Sequence, residues 1–226
     1  MEALVVNNDV ALSSNHLQQH GLENLGTVFW NLSAPALYQE AIQRNEGTIT
    51  EGGALTVSTG IHTGRSPKDK FIVDSPAVHD QINWGNVNRP ISSENFELMR
   101  RKVSAYLQGR DVFVQDCFAG ADHHHRLSVR VITESAWPNL FAQNMFIRPT
   151  LDQKKEFEPD FTVIHVPGLK ACGVEDGVNS ETFILVDFDK KMVLIGGTHY
   201  AGEIKKSIFG VLNYLLPEHD VMPMHC

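Results

Sequence analysis

The stretch TGIHTGRSPKDKF, residues 59–71, lies between two apolar runs. Ala54, Leu55 and Val57 precede it in an alternating pattern, and the apolar run FIV at residues 71–73 closes it. Alternating apolar residues on both sides of a Gly-, Pro- and Ser-containing segment are typical of two strands joined by a loop. The pattern therefore predicts a strand, a tight polar loop and a second strand.

The loop within this stretch carries groups that suit an anion. Gly60 and Gly64 allow backbone angles and close approaches that a side chain would block. Successive backbone N–H groups in such a loop can form an anion-binding concavity. Arg65 adds a planar fork of donors that matches a carboxylate or a phosphate. Two interpretations stay open for the loop alone: an anion-binding loop, or a hairpin turn whose charges are merely solvated.

Composition indicates a soluble globular protein with a sizeable core. The chain has 226 residues, of which 42% are hydrophobic and 20% charged, enough for one large domain or two small ones. A net charge of -8 argues against a broad nucleic-acid-binding face. No signal-peptide pattern and no run near the roughly 20 apolar residues of a membrane span occur. Three widely spaced cysteines without a CxxC pair indicate reduced thiols. We therefore expect a cytoplasmic protein with no nucleic-acid or membrane partner.

Hydrophobic periodicity predicts interleaved helices and strands. Helices are predicted at residues 12–20, 34–44, 92–108, 136–146 and 201–216. Strands are predicted at residues 48–58, 71–74, 111–118, 127–133, 161–166, 182–188 and 192–195, with residues 75–91 as a long surface connection. Because the two kinds of element do not alternate strictly, the sequence predicts an α/β fold with a mixed sheet and flanking helices.

A second informative stretch is IGGTHYAGEIKKSIF, residues 195–209. At 100° per residue, Lys206 lies almost opposite the apolar stripe of the predicted helix, and Lys205 lies at its flank. Tyr200 comes just before the helix, at its electropositive end. His225 follows close to the end of the sequence. The lysines either decorate a solvent-exposed face, as most helical lysines do, or Lys206 points into a cleft.

The run His123, His124 and His125 could suggest a metal site, since imidazole is a common metal ligand. Adjacent side chains of a strand point to opposite faces, so three consecutive histidines cannot all face one ion. A solvated loop is therefore favoured, and a structural zinc site is kept as an alternative.

From about residue 56 onward the sequence resembles the N-terminal portion of the ATP-dependent phosphoenolpyruvate carboxykinases. The resemblance is carried by TGIHTGRSPKDKF (59–71), RLSVRVITESAW (126–137), NMFIRP (144–149), IGGTHYAGEIKK (195–206), NYLLP (213–217) and MHC (224–226). These motifs keep the family's order and similar spacings, whereas the three histidines depart from the family's pattern. The resemblance implies that residues 1–226 form the family's N-terminal substrate-binding domain, truncated before the C-terminal nucleotide-binding domain.

The resemblance also implies a reaction. Members of the family convert oxaloacetate and ATP to phosphoenolpyruvate, carbon dioxide and ADP in gluconeogenesis. They use manganese at one site and magnesium with the nucleotide. The family's phosphate-binding loop, a GxxGxGKT-like segment, does not occur in the 226 residues. We therefore expect the chain alone to be inactive, and a stand-alone carboxylate- or phosphate-binding module without catalysis is the alternative.

Particular residues acquire roles from the same resemblance. Arg65 and Lys206 would be the catalytic residues, with Arg65 on the substrate carboxylate. Tyr200 would lie against oxaloacetate or the departing carbon dioxide. Lys206 and His225 would coordinate manganese and contribute to ATP binding, and Lys205 would help to hold charge in the site. A lysine coordinates a metal only as a free amine, so the pKa of Lys206 is expected to be lowered.

Overall fold

A computed structural model describes residues 5–7 and 15–223 of the chain. The helices are α1 (Asn15–Gln18), α2 (Ala34–Gln43), α3 (Ser93–Leu107), α4 (Ala136–Met145), α5 (Leu151–Lys155) and α6 (Gly202–Leu215). The strands are β1 (Val5–Asn7), β2 (Val28–Trp30), β3 (Gly47–Ile49), β4 (Leu55–Val57), β5 (Lys70–Val73), β6 (Arg89–Ile91), β7 (Val112–Ala119), β8 (Leu127–Thr133), β9 (Phe161–Val166), β10 (Phe183–Asp187) and β11 (Met192–Gly196). His225 and residues 12–14 of the first predicted helix lie outside the described residues.

Within the described residues, nine strands form one mixed sheet in the order β1-β2-β7-β8-β9-β11-β10-β5-β6. The sheet consists of three blocks of parallel strands. The first block is β1, β2 and β7, the central block is β8, β9 and β11, and the last block is β10, β5 and β6. The pairs β7–β8 and β11–β10 are antiparallel, so the central block runs opposite to the two outer blocks. The predicted α/β fold with a mixed sheet is confirmed.

The opening segment differs from its prediction. Residues 48–58 form not one strand but the antiparallel pair β3 and β4, which is a separate two-stranded sheet. Strand β5 belongs to the large sheet, where it pairs with β10 and β6. The loop between β4 and β5 therefore joins two sheets and is not the tip of a hairpin. A turn at residues 51–53 divides the predicted strand, and the Gly52-Gly53 pair was a turn signal that the prediction of a single strand overlooked.

Three further strands, β1, β2 and β6, were not predicted from the sequence. Residues 75–91 are not only a surface connection, because they include the buried Val78 and end in the edge strand β6. Strand β2 lies in a region where only a short helix was predicted, yet Val28 and Trp30 are fully buried. Each of these strands has three residues, too few for a period of two to be recognised.

Helices cover both faces of the sheet because strand side chains alternate between the faces. In β11, Met192 and Leu194 belong to the apolar cluster that contains the buried face of α3. Val193 and Ile195 belong to the cluster on the opposite face, which contains Ile208 of α6. The predicted apolar stripe of α6 is thus buried on the sheet, and this docking directs the helix's other side toward the site described below.

A buried ion pair crosses the first half of the sheet. Arg130 on β8 donates from Nε to Asp116 Oδ1 on β7 at 2.7 Å, and both side chains are almost fully buried. The other carboxylate oxygen accepts Trp30 Nε1 at 2.7 Å and Asn31 Nδ2 at 3.1 Å. The carboxylate therefore links three neighbouring parts of the fold. In the described part of the chain, no helix is long and apolar enough to cross a bilayer.

Candidate active site

A cavity of ≈ 460 Å³ opens where three segments meet. The loop between β4 and β5 contributes one wall, α4 a second, and the start of α6 with the residue preceding it the third. The lining residues are Thr59, Arg65, Trp137, Phe141, Met145, Tyr200, Ala201, Gly202, Lys205 and Lys206. Four residues that the sequence singled out, namely Arg65, Tyr200, Lys205 and Lys206, therefore share one cavity.

The cavity is cationic, although the whole chain carries a net charge of -8. Arg65, Lys205 and Lys206 line it, and no carboxylate is among the described residues of its lining. The first turn of α6 also faces it through Ala201 and Gly202, so the positive end of the helix dipole adds to the field. The two lysines are therefore not the solvated decoration of an open helix face.

The surroundings of Lys206 act on the charge of its amine. Burial lowers the pKa of Lys206, and the neighbouring charges of Arg65 and Lys205 lower it further. Its Nζ also lies 4.0 Å from the centre of the Phe209 ring, in a cation–π arrangement. The direction of the pKa shift is the one that the family resemblance implied, and the charge of Arg65 is one of its causes.

Glu203 fastens the loop that bears Arg65 to helix α6. The Ser66 N–H donates to Glu203 Oε1 at 2.5 Å, a contact between residues 137 positions apart in the chain. Glu203 is buried, and burial raises the pKa of its carboxyl group, while the Ser66 hydrogen bond and the Arg65 charge oppose that rise. One backbone donor of the loop is thus already bound, so the guanidinium is the loop's main anion-seeking group.

His62 gives the same loop a second anchor. Its Nε2 lies 3.0 Å from Thr182 Oγ1, and its Nδ1 lies 3.3 Å from Ser66 Oγ. Thr182 Oγ1 donates its only proton to Gly197 O at 3.1 Å, so it must accept from His62 Nε2–H. Ser66 Oγ then donates to His62 Nδ1. The imidazole therefore connects the loop to Thr182, the residue before β10.

Tyr200 is positioned by the segment between β11 and α6. Thr198 Oγ1 accepts the Tyr200 N–H at 3.1 Å, and Thr198 O accepts Nε2–H of the fully buried His165 at 3.0 Å. A Cβ placed on Gly202 would lie 2.4 Å from Cε1 of the Tyr200 ring. Only glycine therefore lets the tyrosine ring lie directly against the first turn of α6.

The glycines of the opening loop differ in what they supply. Gly60 has a φ of 65°, which an L side chain rarely adopts, so the predicted need for glycine holds there. At Gly64, a Cβ would meet nothing within 4 Å among the described residues, so the fold itself does not require a glycine.

Sequence reasoning missed several residues of this site. Glu203 and His62 lie inside the two motifs already singled out, but only the structure shows which contacts they make. The apolar wall formed by Trp137 and Phe141 comes from α4, far from both motifs in sequence. The sequence predicted a helix at residues 136–146 and carried no sign of a cavity.

The histidine run lies apart from this cavity, in the turn between β7 and β8. His123 and His124 are exposed, and the His125 ring lies 6.2 Å from that of His219. Among the residues that the structure describes, no three His, Cys, Asp or Glu side chains come together as a metal site. The zinc hypothesis therefore has no support in the described chain.

The fold and the cavity together define an α/β protein with a cationic cavity. A family model described as phosphoenolpyruvate carboxykinase matches residues 26–226. The chain therefore belongs to the ATP-type phosphoenolpyruvate carboxykinase family.

Several curated relatives carry the name phosphoenolpyruvate carboxykinase (ATP). The relative from Geobacter sp. (strain M21) is 53% identical over 219 residues, which covers 97% of this chain and 41% of the relative. One from Moorella thermoacetica is 53% identical over 93% of this chain and 40% of the relative. One from Brevibacillus brevis is 55% identical over 88% of this chain and 38% of the relative. The chain thus spans about two fifths of the length of these relatives.

Proposed function

We propose that this chain forms the oxaloacetate- and phosphoenolpyruvate-binding part of an ATP-dependent phosphoenolpyruvate carboxykinase. The observation that carries the proposal is the convergence of Arg65, Tyr200 and Lys206 on one cationic cavity. Family membership supplies the reaction, in which oxaloacetate and ATP give phosphoenolpyruvate, carbon dioxide and ADP as a step of gluconeogenesis. A charged dicarboxylate substrate suits a cavity whose described lining contains cations and no carboxylate.

Arg65 would bind the substrate carboxylate through its fork of N–H donors. Glu203 and His62 hold the loop backbone next to Arg65, so this part of the loop is positioned before the ligand binds. Such preorganisation reduces the free-energy cost of ordering the loop on binding. Tyr200, held by Thr198 and Gly202, would lie against oxaloacetate or the departing carbon dioxide.

Decarboxylation of oxaloacetate leaves an enolate, whose oxygen becomes negatively charged. Positive charge fixed in advance near that oxygen lowers the barrier, because no reorganisation is needed as the charge forms. Arg65 and Lys205 supply it, together with the first turn of α6. On the other side, the apolar wall of Trp137, Phe141 and Met145 limits water at the reacting carbon and so protects the enolate from protonation.

The residues present fit part of the manganese site that the family implies. Lys206 lines the cavity and its pKa is lowered, so it can offer a neutral amine as a ligand. His225, the proposed second ligand, lies outside the described residues, and both residues would also contribute to ATP binding. When bound, manganese supplies positive charge at the enolate oxygen, and magnesium accompanies the nucleotide.

Calorimetric titration with oxalate, a dianion that resembles the carboxylate-bearing enolate, tests this proposal. Charge-assisted hydrogen bonds contribute about 1.5–3 kcal/mol, so we expect Arg65→Gln to weaken oxalate binding roughly 10- to 100-fold. Arg101→Gln is the matched control, since Arg101 is an exposed arginine on α3 outside the cavity lining. Equal oxalate affinity in wild type and Arg65→Gln would remove Arg65 from its role.

We further propose that the 226-residue chain does not turn over on its own. The sequence holds no Gly-rich Lys-Thr loop with which to cradle the phosphates of ATP. An assay with oxaloacetate, ATP and manganese should show no phosphoenolpyruvate above background. Turnover at the rate of a full-length relative would refute this part of the proposal and leave the binding role intact.

A further inference from the structure

A second cavity, of ≈ 420 Å³, lies along α6 next to the first. Lys206 forms part of the lining of both cavities. The second cavity is otherwise bounded by β5, β10 and the segment before β6. Its polar lining residues are Lys70, Gln81, Asn83, Asn88, Lys206, Ser207, Asn213 and Tyr214.

Lys70 gives the second cavity an amine that makes no direct ion pair within the described part of the chain. Its side chain is half-buried, and among the described residues its amine has neither a hydrogen-bond acceptor nor a salt-bridge partner. Glu203 is near enough to act on Lys70 electrostatically, but its Oε1 accepts the Ser66 N–H. Burying a charge without a partner is unfavourable, so an anion at this place would offset that cost.

The amine of Lys70 is held against α6. A Cβ placed on Gly210 would lie 3.3 Å from Lys70 Nζ, so the amine lies beside the helix at a position where no side chain competes for space. One turn earlier, Ser207 is 3% exposed and its Oγ has no hydrogen-bond partner among the described residues. A buried hydroxyl without a partner is rare in folded proteins and indicates a missing acceptor or donor.

The remaining polar groups of this cavity are neutral, and its described lining contains no Asp or Glu. Asn88 Nδ2 donates to Asn83 O at 3.1 Å and Asn213 Nδ2 donates to Phe209 O at 2.7 Å, so each amide keeps a second N–H that can donate to an oxyanion without adding charge. The Lys70 and Lys206 amines, the Ser207 hydroxyl and the remaining amide N–H groups form a set suited to phosphate or carboxylate oxygens.

We propose that this second cavity binds a small anion that carries phosphate or carboxylate groups. The binding is separate from that at the cavity lined by Arg65, and Lys70 is its principal cation. This inference does not depend on the proposed function, because it concerns a different cavity and a residue that does not line the first.

NMR titration of the chain with inorganic phosphate, and separately with malonate, tests the inference. In wild type we expect saturable shifts of the Gly210 and Asn213 amides and of the Asn88 side-chain NH₂. Lys70→Met should lower the affinity measured from these shifts roughly 10- to 100-fold, as expected for loss of a charged hydrogen bond. Lys205→Met is the matched control, since Lys205 lies on α6, which bounds the second cavity, but lines only the first. A larger response to phosphate than to malonate, or the reverse, identifies which oxyanion is preferred.

Asn213→Asp provides a second variant in case Lys70→Met does not fold. Asn213 is exposed on α6, and a carboxylate there should repel the anion and weaken its binding at least severalfold without disturbing the core. Absence of shifts at the second cavity in wild type at tens of millimolar phosphate and malonate would overturn the inference. Shifts that persist unchanged in both variants would do so too. Arg65→Gln should leave these shifts unchanged. The experiment therefore distinguishes a wrong proposal for the first cavity from a wrong proposal for the second.

Discussion

Glu203 shows how a single carboxylate can organise a cationic site without lining it. It accepts the Ser66 N–H and so determines where the neighbouring Arg65 stands relative to the lysines of α6. Because Glu203 is buried, its removal leaves the Ser66 amide without this acceptor. Leaving a buried amide without its acceptor lowers the free energy of unfolding by about 1–3 kcal/mol.

We therefore expect Glu203→Ala to lower the free energy of unfolding by about 1–3 kcal/mol and to increase hydrogen exchange at the Ser66 amide. Glu203→Gln keeps an oxygen acceptor and removes only the charge, so its exchange rate at Ser66 should stay closer to that of wild type. Urea unfolding and amide exchange measure the two effects. If the Ser66 amide is equally protected in Glu203→Ala and wild type, the proposed anchor is wrong.

The residues of the candidate site differ in how far the sequence could reveal them. Arg65, Tyr200, Lys205 and Lys206 stand out because their types and positions in two motifs suit anion chemistry. Glu203, in the same motif, could equally have been a solvated acid in the first turn of a helix. Its role depends on a contact across 137 positions, which no local pattern encodes.

Among the elements, β9 supports the segment that carries Tyr200 through one histidine. His165 is fully buried, and its Nε2–H donates to Thr198 O at 3.0 Å. Burial lowers the pKa of His165 to about 4. The unfolded chain therefore binds a proton at this residue near its ordinary value of 6.5, while the folded chain does not.

This difference predicts that protonation of His165 favours the unfolded state. Its contribution should lower the free energy of unfolding as the pH falls from about 6.5 to about 4, by up to about 3 kcal/mol, and should level off below that. His165→Gln should have a flatter stability profile over the same range, measured by urea unfolding at several pH values. His219→Gln is the control, since His219 lies in an outer turn. Parallel profiles for wild type and His165→Gln would contradict the assignment.

Longer elements were predictable from sequence, and short ones were not. Helices α3 and α6 have several turns of apolar periodicity, and strands β7 to β11 have five or more residues each. Strands β2 and β6 have three residues each, and parallel pairing with β7 and β5, respectively, places them in the sheet. Their identity as strands comes from the sheet they join, which hydrophobic patterning alone does not show.

Over the whole molecule, the carboxylate of Asp116 links β7 to β8 and to the end of β2. It accepts Arg130 Nε, Trp30 Nε1 and Asn31 Nδ2, all within the buried interior. Removing one partner of a buried ion pair leaves the other charge unpaired, which costs about 3–5 kcal/mol.

Asp116→Ala should therefore be among the most destabilising substitutions in the chain, lowering the free energy of unfolding by about 3–5 kcal/mol. Asp152→Ala is the control, because it removes an exposed ion pair with Lys155 and should change stability by less than about 1 kcal/mol. Chemical denaturation monitored by circular dichroism compares the two. Similar stabilities for the two variants would show that the buried pair does not hold the sheet together.

The central claim is that the guanidinium of Arg65 and the amine of Lys206 act on each other within one cavity. A ¹³C NMR titration of Lys206, in metal-free solution, tests it directly in wild type, Arg65→Gln and the control Arg101→Gln. We expect the pKa of Lys206 to lie below the ordinary lysine value in wild type, to rise in Arg65→Gln and to stay unchanged in Arg101→Gln. An ordinary pKa in wild type, or the same pKa in wild type and Arg65→Gln, would contradict the account.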